Sequence, residues 1–247
     1  MMNTLYKKSE IWFAVTWIIA YVVGTSAADA LSETLGVAKS VTLLWLIVLT
    51  AISLIWMKKN ALFKVYGLCA SPYPAHKFLF YLPLVAMASV NVWCGVQLNM
   101  PLLETALYVG SMLLVGFLEE LIFRGFLFKA MQKDSLRAAV IVSSLTFGIG
   151  HIVNLINGSG ADLAANLCQV CYAAAGGFMF VILFYKGKSL LPCIAAHSAI
   201  NMLSAFSNET ALASVRILTA LFLCAVSLLY AFWLYKALPA PKEDGTD

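Results

Sequence analysis

Charge is what this sequence has least of. Only 11% of its 247 residues are charged, 62% are hydrophobic, and the mean hydropathy is +0.88. A soluble domain is nearer a quarter charged and half apolar. The shortage excludes a soluble enzyme. The expected surroundings are a lipid bilayer, and no nucleic-acid partner is expected. Cysteine is also sparse: six residues, five of them inside apolar runs, with no framework spacing. That excludes a disulfide scaffold and leaves small packing residues. Cys168 and Cys171 form a CxxC, but no second pair accompanies it. Repeats and low-complexity segments are absent. Histidine occurs three times, at His76, His151 and His197, so each one counts.

Long apolar runs make up nearly everything else. Each is near the roughly 20 residues that cross about 30 Å of hydrocarbon. The runs are Ile11 to about Leu31, Ser40 to Met57, Phe78 to Val96, Pro101 to about Ala130, Leu136 to Ile156, Leu163 to Tyr185, Ser189 to Phe206 and Ala211 to Tyr235. The first, with Lys7 and Lys8 before it and small residues after Val23, mimics a signal peptide but is read as an uncleaved span. Asn60 to Lys77 reads as an interfacial segment, and Pro83 as a kink in the third span. Ser189 reads as an N-cap with Pro192 in the first turn that follows. Ala173, Gly176 and Gly177 suit close helix contact. The expected fold is therefore all-α: a polytopic membrane helical bundle of about eight transmembrane helices, one domain over residues 1–247. With eight spans, fourteen of the sixteen basic residues fall on the side of the termini, and only Lys39 and Arg216 on the other. Basic residues favour the cytoplasmic face, so both termini are expected in the cytoplasm.

Against this background Glu119-Glu120-Leu-Ile-Phe-Arg124 stands out. A charged residue at mid-bilayer costs roughly 3 kcal/mol on insertion scales, so two adjacent carboxylates in an apolar run imply a use. Glu120 and Arg124, four apart on a helix, share a face and can pair, while Glu119 is rotated by about 100° and points elsewhere. Two further polar groups follow: Phe147-x-x-x-His151, with Asn154 one turn on, and His197-x-x-x-Asn201. Counting ~1.5 Å per residue from the cytoplasmic ends puts Glu119, His151, His197 and Asn201 at comparable depths, roughly 12 to 23 Å. His76 falls in a loop and reads as a surface residue. One carboxylate, two imidazoles and an amide suit hydrolysis. Glu119 would take a proton from water, His151 would hold that water or share the proton, and His197 and Asn201 would donate to an oxyanion. The same Glu119, His151 and His197 also suit zinc, although Asn201 is a poor zinc ligand and a good donor. No cofactor is required on the first reading.

In this order the three groups resemble the motifs of the CPBP family, which includes the eukaryotic type II CaaX prenyl endopeptidases and bacterial membrane proteins tied to bacteriocin self-immunity. The likeness covers roughly Glu104 to Ser204 and includes Gly125, Asn154 and the Ser189-Leu-Leu-Pro192 stretch. The first hundred residues carry no matching motif. The resemblance implies an all-helical intramembrane endopeptidase with a catalytic core near residues 102–206. Glu119 would be the base, completed by His151, His197 and Asn201, with Glu120, Arg124 and Asn154 in support. The implied substrate is a peptide or membrane-protein segment. The brevity of the chain suggests a bacterial member, in a cytoplasmic membrane. Two other classes use the same buried groups: a non-catalytic immunity or scaffold protein, and a proton-coupled transporter.

Overall fold

Local signals set most helix starts. Ser9, in extended conformation, accepts a hydrogen bond on its Oγ from the Trp12 amide at 3.2 Å, separating a short α1 (Met2–Lys8) from α2 (Glu10–Thr34). This satisfies one of the amides left without a partner at a helix start. Gly36, at φ +69, turns the chain back into α3 (Ser40–Lys59), and Lys39 Nζ ties the hairpin to Asp29 at 2.8 Å. Pro101 opens α5 (Leu102–Glu119), as its position in the sequence predicts. Ser135 caps α7 (Leu136–Gly150) by accepting from the Ala138 amide at 3.3 Å.

The structure, a computed structural model, describes residues 2–153, 163–208 and 213–239. It is all-helical, with an isolated bridge between Val96 and Ser207 and no strand among the described residues. The remaining helices are α4 (Leu82–Ala88), α6 (Lys129–Met131), α8 (Leu163–Gly187), α9 (Leu191–Leu203) and α10 (Ala213–Ala237). Helix α8 packs between α7 and α10, α5 packs against α3 and α9, and α2 lies on α3. Two apolar clusters form. One gathers Phe13, Trp17, Trp56, Leu118, Leu121 and Phe126; the other gathers Phe78, Met179, Phe180, Leu183, Cys193 and Leu234.

Three expectations need correction, and the expected helix count stands in part. Among the described residues six stretches are long and apolar enough to cross a membrane, and Leu136–Gly150 and Leu191–Phe206 are shorter apolar helices. At ~1.5 Å per residue the first of these reaches about 22 Å, short of a full hydrocarbon core. The third expected span is broken: Leu79, Phe80 and Tyr81 all take left-handed φ between +50 and +58. Pro83 therefore sits at the start of α4, where a missing amide costs nothing, and not within a helix that it kinks. Ser189 is not an N-cap. Leu190 takes that place, and the Ser189 hydroxyl donates instead to the Cys69 carbonyl at 2.6 Å. Last, the run from Leu102 to Met131 is one continuous helix, but its middle, Glu120–Phe128, is π-helical.

Residues Asn60 to Lys77, expected at an interface, are rich in turns and dock under the joint between α8 and α9. Leu190 N donates to Gly67 O at 2.8 Å and the Ser71 hydroxyl to Gly187 O at 2.7 Å. The end of the expected run from Leu136 to Ile156 and the supporting Asn154 lie outside the described residues.

Candidate active site

A π-helix is rare and, as an insertion in an α-helix, recurs at functional sites. Here it begins at the second glutamate of the pair, and all nine of its residues are buried. Glu119 is the last residue of α5 and Glu120 the first of the widened turns. The Glu120 and Arg124 side chains are fully buried, with Arg124 Nη1 3.1 Å from Glu120 Oε1. Fully buried ions need compensation, because desolvating each costs several kcal/mol. Part of it comes from rings: the guanidinium lies 4.0 Å above Phe147 and 5.6 Å from Phe180. Arg124 thereby stacks between an aromatic of each apolar cluster, and the polar site lies along their seam.

Helix α9 brings His197 to the glutamates. The approach depends on Gly116: a Cβ there would stand 2.6 Å from Ser198 Cα. The Ser198 hydroxyl closes the contact by donating to Leu113 O at 2.9 Å. His197 then sits between the two acids. Its Nδ1 is 2.8 Å from Glu120 Oε1, and its Nε2 is 3.5 Å from Glu119 Oε2. A carboxylate only accepts, so Nδ1 is assigned as the donor to Glu120, which leaves Nε2 as the nitrogen opposite Glu119. Both ring nitrogens thus face carboxylates, which differs from the oxyanion-donor role that sequence spacing suggests for His197.

His151 follows the end of α7. Its Nδ1 is 3.0 Å from Phe147 O, and a carbonyl only accepts, so Nδ1 carries the proton and Nε2 is left as an acceptor. Asn166, nearly fully buried on α8, donates to His151 O at 3.2 Å and fixes the backbone there. The α7–α8 contact is close because Gly148 and Gly177 leave no Cβ between the helices: one at Gly148 would lie 2.9 Å from Ala174 Cα, and one at Gly177 3.1 Å from Ser144 Cα. Gly176, expected to share that role, faces open space. Both imidazoles pack edge-on against the same Phe147 ring, with centroids 5.0 Å away for His151 and 5.5 Å for His197. Asn201, one turn beyond His197 on α9, is half-buried, and its side chain makes no hydrogen bond among the described residues.

One residue enters the site unannounced. The Tyr21 hydroxyl, on α2, donates to Glu119 Oε1 at 2.7 Å across 98 residues of sequence. The available signal is depth: eleven residues past Glu10, Tyr21 stands about 17 Å into the first span, level with the motifs. For zinc, the described residues contain no group of three or more His, Cys, Asp or Glu side chains drawn together as ligands.

Residues 101–203 match the family described as Rce1-like, type II CAAX prenyl endopeptidase Rce1-like. No curated protein and no solved structure matches the chain. The matched segment spans all three motifs and agrees with the resemblance read from them. The match covers less than half of the chain and supports a CPBP-type protease, and six helices among the described residues are long and apolar enough to cross a membrane.

Proposed function

We propose that the chain is an intramembrane endopeptidase in which Glu119 activates a water to attack a peptide carbonyl. The observation that supports this most is His197 seated between Glu119 and Glu120, with His151 T-shaped against the same Phe147 ring that His197 meets. Water needs acceptors to be aimed and deprotonated, and two face this site: the Glu119 carboxylate and His151 Nε2. Glu119 takes the proton as the water oxygen bonds to the carbonyl carbon. The His197 Nε2 opposite Glu119 shares that proton and passes it to the departing amine. Asn201, with its amide uncommitted, donates to the oxyanion. Glu120 and Arg124 hold His197 and the widened helix in place.

The substrate is a peptide or membrane-protein segment cut near the cytoplasmic face, with both termini of the chain in the cytoplasm. The family description makes a prenylated peptide with a CAAX end the first probe to use. Glu119→Gln should lower cleavage by about 10²–10⁴-fold, the usual loss for a general base, while the protein stays folded in detergent. Cleavage should survive exhaustive chelation. Mass spectrometry of membranes holding the wild type or Glu119→Gln should find a peptide that changes length. Unchanged cleavage in Glu119→Gln would sink the mechanism, and solute-driven proton flux in liposomes without cleavage would favour a transporter.

A further inference from the structure

Glu119 is the one acid of the pair with some exposure, 15% of its side chain, and it ends an α-helix just where the helix widens. A glutamate so placed has three side-chain torsions to settle. Two contacts settle them, from different helices. One carboxylate oxygen faces His197 of α9, and the other accepts the Tyr21 hydroxyl of α2. Only the first comes from the matched segment, since Tyr21 lies eighty residues before residue 101.

Tyr21 is nearly fully buried, between Ile18 and Val22 in sequence and in an otherwise apolar stretch of α2. A buried phenol needs a partner for its hydroxyl, and here the partner is the acid that the reaction uses. The hydroxyl is not free to wander, because α2 is docked by aromatic packing. Phe13 and Trp17, about two turns and one turn before Tyr21, meet Phe126 of the π-helical segment at 5.2 and 5.6 Å. The phenol is therefore held against Glu119 by the same segment that presents Glu119.

We propose that Tyr21 is a positioning residue for the peptidase reaction: its hydroxyl fixes Glu119 Oε1, so that Glu119 Oε2 faces the reacting water and His197. This rests on the reading of Glu119 as the base. It assigns to the first hundred residues a part in catalysis that neither the motifs nor the family match records.

The test uses the full chain in detergent or liposomes, a fluorogenic farnesylated CAAX peptide, and the four proteins wild type, Tyr21→Phe, Glu119→Asp and the double variant. The loss of one charge-assisted hydrogen bond predicts that Tyr21→Phe lowers kcat by about 10- to 100-fold with KM within about twofold of wild type. Glu119→Asp draws the carboxylate away from the phenol, so adding Tyr21→Phe to it should cost little more. Unchanged kcat in Tyr21→Phe overturns the proposal. So does an equal loss in the Glu119→Asp background, which would mean that Tyr21 acts only through packing. If Glu119→Asp keeps full activity, the carboxylate needs no fixed position and the proposal is overturned; the base reading fails instead if Glu119→Gln keeps full activity. A second measurement needs no turnover: the tyrosine doublet in ultraviolet resonance Raman, isolated as wild type minus Tyr21→Phe, reports the phenol's hydrogen bond. It should change on Glu119→Ala. If it changes while the wild type cleaves no peptide, the pairing stands and the peptidase reading falls; if it does not change, the pairing itself is wrong.

Discussion

Residues 2–100 and 101–203 divide the labour of this molecule unequally. The later region supplies every charged group of the site and buries them: Glu120 and Arg124 are both 0% exposed. The earlier region has no motif and breaks up into turns and short helical pieces after Lys59. Yet it makes the collar in which the site sits. Phe13, Trp17, Trp56 and Tyr66 all surround Phe126, with centroids between 5.0 and 6.0 Å away. Burial, and then the Tyr6 hydroxyl beside it, push the Tyr66 phenol above its ordinary range, so it remains neutral and packs as an apolar ring. The difference teaches that a motif and the structure that packs around it need not share a stretch of sequence.

The sharpest way to test the division is to remove one charge from the later region. Arg124→Ala leaves Glu120 buried beside His197 without its cation, and losing one partner of a buried pair costs about 3–5 kcal/mol. Glu119→Ala should cost less, because its carboxyl is partly exposed and its contacts are with neutral or shared groups. Thermal or denaturant unfolding in detergent compares the two. If they cost the same, the separation of a structural Glu120–Arg124 pair from a working Glu119 is wrong.

The collar is tested by Phe126→Ala, expected to cost about 3–5 kcal/mol for a buried aromatic, with the loss shared by Trp17→Ala because they touch. If α2 aims Tyr21 through this ring, activity should fall further than stability alone explains. Normal turnover in a folded Phe126→Ala protein would show that the two regions are mechanically independent. A smaller effect is expected at Gly67, whose φ of +70 and contact with the Phe184 ring leave no room for a side chain. Gly67→Ala should cost about 1–3 kcal/mol by overpacking and strain. Proteolysis of the detergent-solubilised chain should then begin in the 60–74 segment.

How much of this the sequence discloses depends on the range of the contact. The Glu120–Arg124 pair is legible because it is local, four residues apart on one helix. So are the Pro101 and Pro192 helix starts, which need only the missing amide. The π-helical widening is not legible, because apart from Arg124 and Gly125 the residues of Leu121–Phe128 are all large and apolar, and no 3.6-residue pattern remains to be broken. The Ser189 hydroxyl has the right chemistry for a cap and finds a carbonyl 120 residues away instead, a choice made by the docked loop. Three left-handed residues at 79–81 have apolar side chains and no glycine, so nothing local foretells the break in the third run. Depth matching points to Glu119, His151 and His197, and the structure brings both imidazoles onto Phe147. It cannot find which nitrogen faces which acid.

The weakest link between the regions gives the finest test of the comparison. Lys133 Nζ and Glu10 Oε1 meet at 2.6 Å at the end of α6 and the start of α2. The lysine side chain is 61% exposed and the glutamate 28%, so water screens the pair and ordering the lysine opposes it. Exposed pairs of this kind are worth about 0.2–1 kcal/mol. A double-mutant cycle of Glu10→Gln and Lys133→Gln should return a coupling in that range at low salt. It should shrink in 1 M salt, where the screening length is about 3 Å. Aromatic packing around Phe126 is unaffected by such screening, so the joint between the regions should hold as salt rises. A coupling above about 2 kcal/mol, or one indifferent to salt, would mean that charge, and not the collar of rings, fastens the first hundred residues to the site.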